Sequence, residues 1–153
     1  MSTATEHAGG PRRLHVSLVA ADRKVWTGAA EMVIARTTEG DTGVLPGHQP
    51  ILSILAPSVV TVRGTDEGTK EVVVSGGFLS VARDDVSILA ESVLLPAEVD
   101  VAAARDLAAS ARAAEDAAGE DSAAREQAQA DLRFAEAQLR VAGDASVGAG
   151  TGH

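Results

Sequence analysis

The sequence predicts a mixed fold: an antiparallel β-sandwich over residues 12–95, followed by an antiparallel helical hairpin over residues 96–143. Three observations lead there. Short runs rich in Val, Ile and Leu follow one another from Leu14 to Ala90, and turn signals interrupt them about every eight to twelve residues, the rhythm of an all-β domain. At Pro96 the composition changes: alanine, the best helix former, dominates from Ala97 to Ala118, and β-branched residues nearly vanish. Between Ala118 and Ser122 there is room only for a short turn, so two consecutive helices must double back on each other. Residues 1–11, small and polar, read as a disordered leader, and the Gly-rich residues 144–153 as a flexible tail.

Taken in order, Leu14, Val16 and Leu18 face one way and His15, Ser17 and Val19 the other, the period of two of a half-buried strand. Asp22-Arg23-Lys24 supplies a turn, Val25 and Trp26 resume a strand, and Gly28 is expected to break it before an extended segment from Glu31 to Thr37. Further strands are expected at Ile51–Leu55 and Val59–Arg63, separated by Pro57, which cannot donate to a ladder. Gly64-Thr65-Asp66-Glu67-Gly68 is a hairpin tip. Val72–Val74 then leads through a Gly76-Gly77 bend to strands at Phe78–Ala82 and Val86–Ala90, with a turn at Arg83-Asp84-Asp85.

In the helical half, Asp100 is placed to cap the first helix and Gly119 to end it. Asp121 or Ser122 caps the second, which runs to about Ala142 before Gly143. At 100° per residue Ala104, Leu107, Ala108, Ala111, Ala114 and Ala118 form one face, and Ala124, Ala128, Leu132, Ala135, Leu139 and Ala142 the face that mates with it. Such seams bury little area, so the hairpin should be marginally stable. The second helix carries another apolar stripe, Ala130, Phe134, Ala137 and Val141, which should pack on the sandwich or on a partner.

Composition excludes several functions. A net charge of -9 and three aromatic residues, Trp26, Phe78 and Phe134, argue against nucleic acid, whose readers need basic stripes and stacking rings. With no cysteine there is neither a disulfide framework nor a thiolate metal site. No apolar run reaches the roughly 18–20 residues that cross a bilayer, and no hydrophobic signal segment is seen, so a cytoplasmic location without membrane insertion is expected. No nucleophile elbow, metalloprotease or phosphate-loop motif is present, and Asp84-Asp85 reads as turn chemistry; no intrinsic active site, catalytic residue, metal or cofactor is expected.

The remaining candidate is residues 38–50, Thr-Glu-Gly-Asp-Thr-Gly-Val-Leu-Pro-Gly-His-Gln-Pro, read as one long irregular surface passage shaped for docking. Its pattern Glu39-Gly40-Asp41-x-Gly43-x-x-Pro46-Gly47-His48-x-Pro50 resembles the signature of the epsilon subunit of F-type ATP synthases. His15-Val16-x-Leu18-Val19 with Asp22-Arg23 and Gly28 resembles that family's first hairpin. Ser75-Gly76-Gly77-Phe78-Leu79-x-Val81 and Val86-x-Ile88-Leu89-Ala90 resemble its last two strands, so the likeness spans about residues 14–143.

What the resemblance implies is a non-catalytic rotor subunit of the central stalk, peripheral on the cytoplasmic face of the membrane, coupling proton translocation to ATP synthesis and regulating ATP hydrolysis. Asp41 would meet the c-ring, and Pro46, Gly47 and His48 the gamma subunit. Arg125, Arg133 and Arg140, within one arc of the second helix, would reach the alpha and beta catalytic subunits when the hairpin extends. Residues 97–143 nevertheless hold five arginines, no lysine and ten carboxylates, a net charge of -5 poorly matched to an acidic target, and Glu136 can pair with Arg133 and Arg140 along the helix. Some relatives bind ATP through a motif with Asp and Arg at the start of the first helix. Here Asp100 remains, but Ala103 stands where the arginine would be, and a methyl cannot fork onto phosphate. The runner-up reading is a free-standing adaptor or ligand-binding sandwich with a coiled-coil handle.

Overall fold

The computed structural model describes residues 12–143, so the expected leader and tail lie outside the described residues. Ten strands come first: β1 Leu14–Ala20, β2 Arg23–Ala30, β3 Met32–Thr37, β4 Gly40–Val44, β5 Ile51–Leu55, β6 Ser58–Thr65, β7 Gly68–Val74, β8 Gly77–Ala82, β9 Asp85–Ala90 and β10 Val93–Leu94. They hydrogen-bond in the order β10-β7-β6-β3-β5-β8-β9-β1-β2, with β4 on β3. Where β3 meets β5 only Thr37 and Leu55 are in register, and there the path folds into two layers, with β2 packing on β6. The inward positions expected from the alternation, Leu14, Val16 and Leu18, join Val33, Val60, Val62, Val72, Leu79, Val86 and Ile88 in one aliphatic core.

One ladder departs from the antiparallel expectation. β1 and β9 run parallel, from His15 opposite Asp85 to Ala20 opposite Ala90, so the first and last long strands of the sandwich are neighbours. This closes the layer across the full length of the domain.

Two local expectations are corrected. Gly28 does not break β2; it pairs with Val16 in mid-strand. The Trp26 ring lies over it, and a β-carbon at residue 28 would come within 2.5 Å of Trp26 Cζ2, so the glycine serves close packing there. Residues 38–50 are not one irregular passage. Gly40–Val44 is a strand paired with β3 from Val33–Val44 to Thr37–Gly40, and only the stretch from Leu45 to Pro50 is irregular. The turn that makes β4 is closed by Thr37, whose hydroxyl donates to Gly40 O at 2.9 Å and accepts from Glu39 N at 3.1 Å, with Gly40 at φ 122°.

Pro96–Glu98 forms one 3-10 turn, and two helices follow: α1 Val101–Ala118 and α2 Ser122–Val141. Asp100 caps α1 by accepting from Ala103 N at 3.1 Å, Asp121 caps α2 by accepting from Ala124 N at 3.1 Å, and Gly119 and Gly143 follow the two ends at positive φ. The seam is shorter than expected. Ala104, Ala108, Ala111, Ala128, Ala135 and Leu139 are buried, but Ala114 and Ala124 near the tip, and Ala142 past the end of α2, are exposed. The seam frays at its two ends, where a methyl has covering neighbours on one side only and stays in reach of water. The surplus stripe finds its cover on the sandwich: α2 packs on β6 and β7, burying Ala137 and the outward-pointing Val73, with Phe134 half-buried.

Candidate functional site

The residues expected to bind partners fall into three places. Asp41 lies on β4, exposed, opposite Arg36 on β3. Arg36 Nε donates to its Oδ1 at 2.8 Å, and this hydrogen bond, with the accompanying charge attraction, holds the Asp41 carboxyl below its ordinary pKa. Asp41 is therefore ionised at neutral pH and already partly engaged. Arg133 and Arg140 line the same cleft as Asp41 and Arg36, a space of about 420 Å³ between α2 and the sandwich. In this arrangement both arginines face the cleft. Glu136, expected to pair with them along the helix, has its Oε2 3.6 Å from Arg112 Nη2 on α1 and ties the two helices together.

Arg125 stands apart at the hairpin tip, where its guanidinium donates to Gly119 O and satisfies a carbonyl at the end of α1. Asp100, the remnant of the nucleotide motif, has its Oδ1 occupied by the Ala103 amide.

Pro46, Gly47 and His48 form the third place, a turn at the other end of β4, about 16 Å from Asp41 at some 3.3 Å per residue. Pro46 presets one φ, Gly47 has φ 88°, and His48 N donates to Leu45 O at 3.0 Å, the features of a type II turn. His48 Nδ1 lies 2.7 Å from Gln49 O, and Leu45 is exposed. Gly47 N also donates to Asp84 Oδ1 at 2.8 Å, and Gln49 and Pro50 lead from the turn into β5.

On β5 begins a further surface that sequence reasoning missed. Leu52 is 75% exposed, Ile54 54%, Phe78 52% and Leu89 51%. Ile54 is in register with Phe78, and Phe78 with Leu89, so these three side chains form one row across β5, β8 and β9 on the face away from the core, with Leu52 two residues before Ile54 on the same face. A hollow of about 480 Å³ lined by Phe78, Leu89, Gly76 and Gly77 opens beside it. The signal was in the strands themselves: Ile51-Leu52-Ser53-Ile54-Leu55 and Phe78-Leu79 carry apolar side chains on both faces, where a strand with one solvated face would alternate.

Among the described residues no group of three or more His, Asp or Glu could hold a metal ion, and no helix is long and apolar enough to cross a membrane.

Residues 13–96 match the family described as ATP synthase, delta/epsilon chain, β-sandwich domain. The ATP synthase epsilon chain of Thermobifida fusca is 45% identical over 130 residues, covering 83% of this chain and 95% of that one. The epsilon chain of Streptomyces coelicolor is 56% identical over 88 residues, 58% of this chain and 71% of its own length. A chain of the Euglena gracilis mitochondrial ATP synthase, from an assembly of OSCP, F1 and c-ring, superposes with a TM-score of 0.70 at 28% identity, over 89% of this chain and 86% of that one. A sandwich with a two-helix appendage, the signature at Glu39–Pro50 and a matched length reaching through both halves agree: this chain belongs to the family of ATP synthase epsilon chains.

Proposed function

We propose that this chain is a non-catalytic subunit of the central stalk, a rotor part that couples proton translocation to ATP synthesis in other subunits and regulates ATP hydrolysis through its hairpin. It sits peripherally on the cytoplasmic face of the membrane. The observation that carries the reading is the row Ile54, Phe78 and Leu89 with Leu52 beside it. Large apolar side chains this exposed and this contiguous mark an interaction surface, and they sit on a hydrogen-bonded sandwich stiff enough to transmit torque. The gamma subunit is the proposed occupant of this row together with the Pro46-Gly47-His48 turn that leads into it.

Asp41, ionised and exposed at the far end of β4, is the proposed contact to the c-ring. Arg125, Arg133 and Arg140 are the proposed contacts to the alpha and beta subunits. With α2 against the sandwich, Arg133 and Arg140 stand exposed at the cleft beside Asp41 and Arg36, and an extended hairpin would carry them toward those subunits.

The test is reassembly with ATP synthase stripped of this chain. Phe78→Asp should weaken rebinding at least about tenfold, the equivalent of 1.4 kcal/mol, while the free chain stays folded and loses only the cross-strand contacts with Ile54 and Leu89. Asp41→Lys should assemble yet synthesise ATP poorly for the protons it passes. Wild-type rebinding by Phe78→Asp would remove the row from the interface.

A further inference from the structure

The β8–β9 turn carries a carboxylate whose work the proposed function leaves unexplained. Arg83 and Asp84 both adopt positive φ, 54° and 67°, a conformation that suits a tight hairpin turn and that Asp tolerates better than most residues. The Asp84 side chain is largely covered and reaches away from its own turn. Its Oδ1 accepts from Gly47 N at 2.8 Å, thirty-seven residues earlier in the chain, and its Oδ2 accepts from Arg12 Nε at 2.5 Å. The Asp84 carbonyl in turn accepts from His15 N at 2.8 Å. One residue thus joins the chain entering β1, the β8–β9 turn and the Leu45–His48 turn. The last of these has one internal hydrogen bond, His48 N to Leu45 O, and that bond closes the turn without fixing its direction.

We infer that Asp84 is the positioning residue of the Leu45–His48 turn: its carboxylate, with Arg12 behind it, aims Pro46, Gly47 and His48 at the partner. The inference rests on the proposed reading of that turn as a docking element. Charge-assisted acceptance from a backbone amide is about twice as strong as the neutral kind. Arg12 also lies close to the turn, since a β-carbon on Gly47 would sit 3.7 Å from Arg12 Nη1. The entering chain therefore walls the turn on one side while Asp84 ties it on the other.

Amide hydrogen exchange on the full chain, together with rebinding to stripped ATP synthase, tests this. Asp84→Gly keeps the positive φ without strain and removes the carboxylate. Gly47 should then exchange at least about tenfold faster while Val16 and Ile88 are unchanged, and rebinding should weaken about tenfold. Asp84→Asn, which keeps an oxygen acceptor, should restore Gly47 protection and most of the affinity. A purely structural role would not produce that selective rescue. Gly47 exchange within twofold of wild type in Asp84→Gly overturns the inference. His48→Ala separates the two claims. If it weakens rebinding and Asp84→Gly does not, Asp84 does not aim the turn although the turn still docks; if neither weakens rebinding, the docking role of the turn falls and the positioning role with it.

Discussion

At the scale of single residues, the Gly76-Gly77 pair shows how a close approach of two backbones fixes an amino-acid type. Gly77 has φ 146° and pairs with Ala90 in the β8–β9 ladder, and a β-carbon there would lie 2.0 Å from Leu89 O. The obstacle is backbone on a strand of the core layer, which cannot swing aside as a flexible side chain would. Gly76, at φ 118°, would meet Leu55 O at 3.4 Å, an ordinary contact. Gly77→Ala should therefore destabilise the sandwich by about 3 kcal/mol or more, while Gly76→Ala should cost about 1–2 kcal/mol from its φ alone. Urea unfolding of the two variants measures the difference. Equal losses would mean that dihedral preference, and not the Leu89 carbonyl, sets the requirement.

At the scale of elements, the joint between sandwich and hairpin is an ion pair. Arg23 at the start of β2 forks onto Glu98 in the 3-10 turn, Nη1 to Oε2 at 3.0 Å and Nη2 to Oε1 at 2.8 Å, and also donates to Val93 O at 3.2 Å. Glu98 Oε1 accepts from Leu95 N at 2.9 Å as well. The Arg23 hydrogen bond, then the Leu95 amide, lower the Glu98 pKa from 4.5 to about 2. A depressed carboxyl pKa stabilises the fold above the unfolded value, and the contribution is lost as pH falls from about 4.5 through about 2. Glu98→Gln should accordingly melt below wild type at pH 7, with the gap closing between pH 5 and pH 2. A gap that stays constant with pH would show that the carboxylate charge contributes nothing. The joint was not legible in the sequence, since Arg23 and Glu98 are far apart along it and only the fold brings them together. Alternation at Leu14–Val19, the alanine-rich change after Pro96 and both helix caps were legible, because each is a local signal. β4 was missed because its Gly and Asp content masks a strand, yet Thr37-Thr38-Glu39-Gly40 repeats the chemistry of Thr65-Asp66-Glu67-Gly68, where Thr65 accepts from Glu67 N at 3.1 Å and its hydroxyl bonds to Gly68 O. Comparing the two tips would have found the hairpin. The candidate partner residues could be named from the sequence as residue types. Their division among a cleft, a turn and a helix tip could not be read there, because it depends on where α2 lands.

At the scale of the whole molecule, two bodies of unequal stability are joined by a small contact. The sandwich core is built from fully buried Leu, Ile and Val, whereas the hairpin seam is mostly alanine, and the bridge between the bodies is α2 lying on β6 and β7 around Ala137 and Val73. At roughly 25 cal/mol per Å² of apolar area, alanine methyls contribute little, so the helices should open locally far more often than the sandwich unfolds. Amides of α1, which packs chiefly on α2, should exchange faster than those of α2, and both faster than those of β1, β8 and β9. Ala137→Glu places a carboxylate against the outer face of β7. It should raise exchange throughout residues 101–141 by about tenfold or more and leave the sandwich strands as protected as before, which is the behaviour a releasable arm requires. If α1 proves as protected as β1 in the wild type, or if Ala137→Glu unprotects helices and strands together, the two halves fold as one cooperative unit and the hairpin cannot leave without unfolding the rotor.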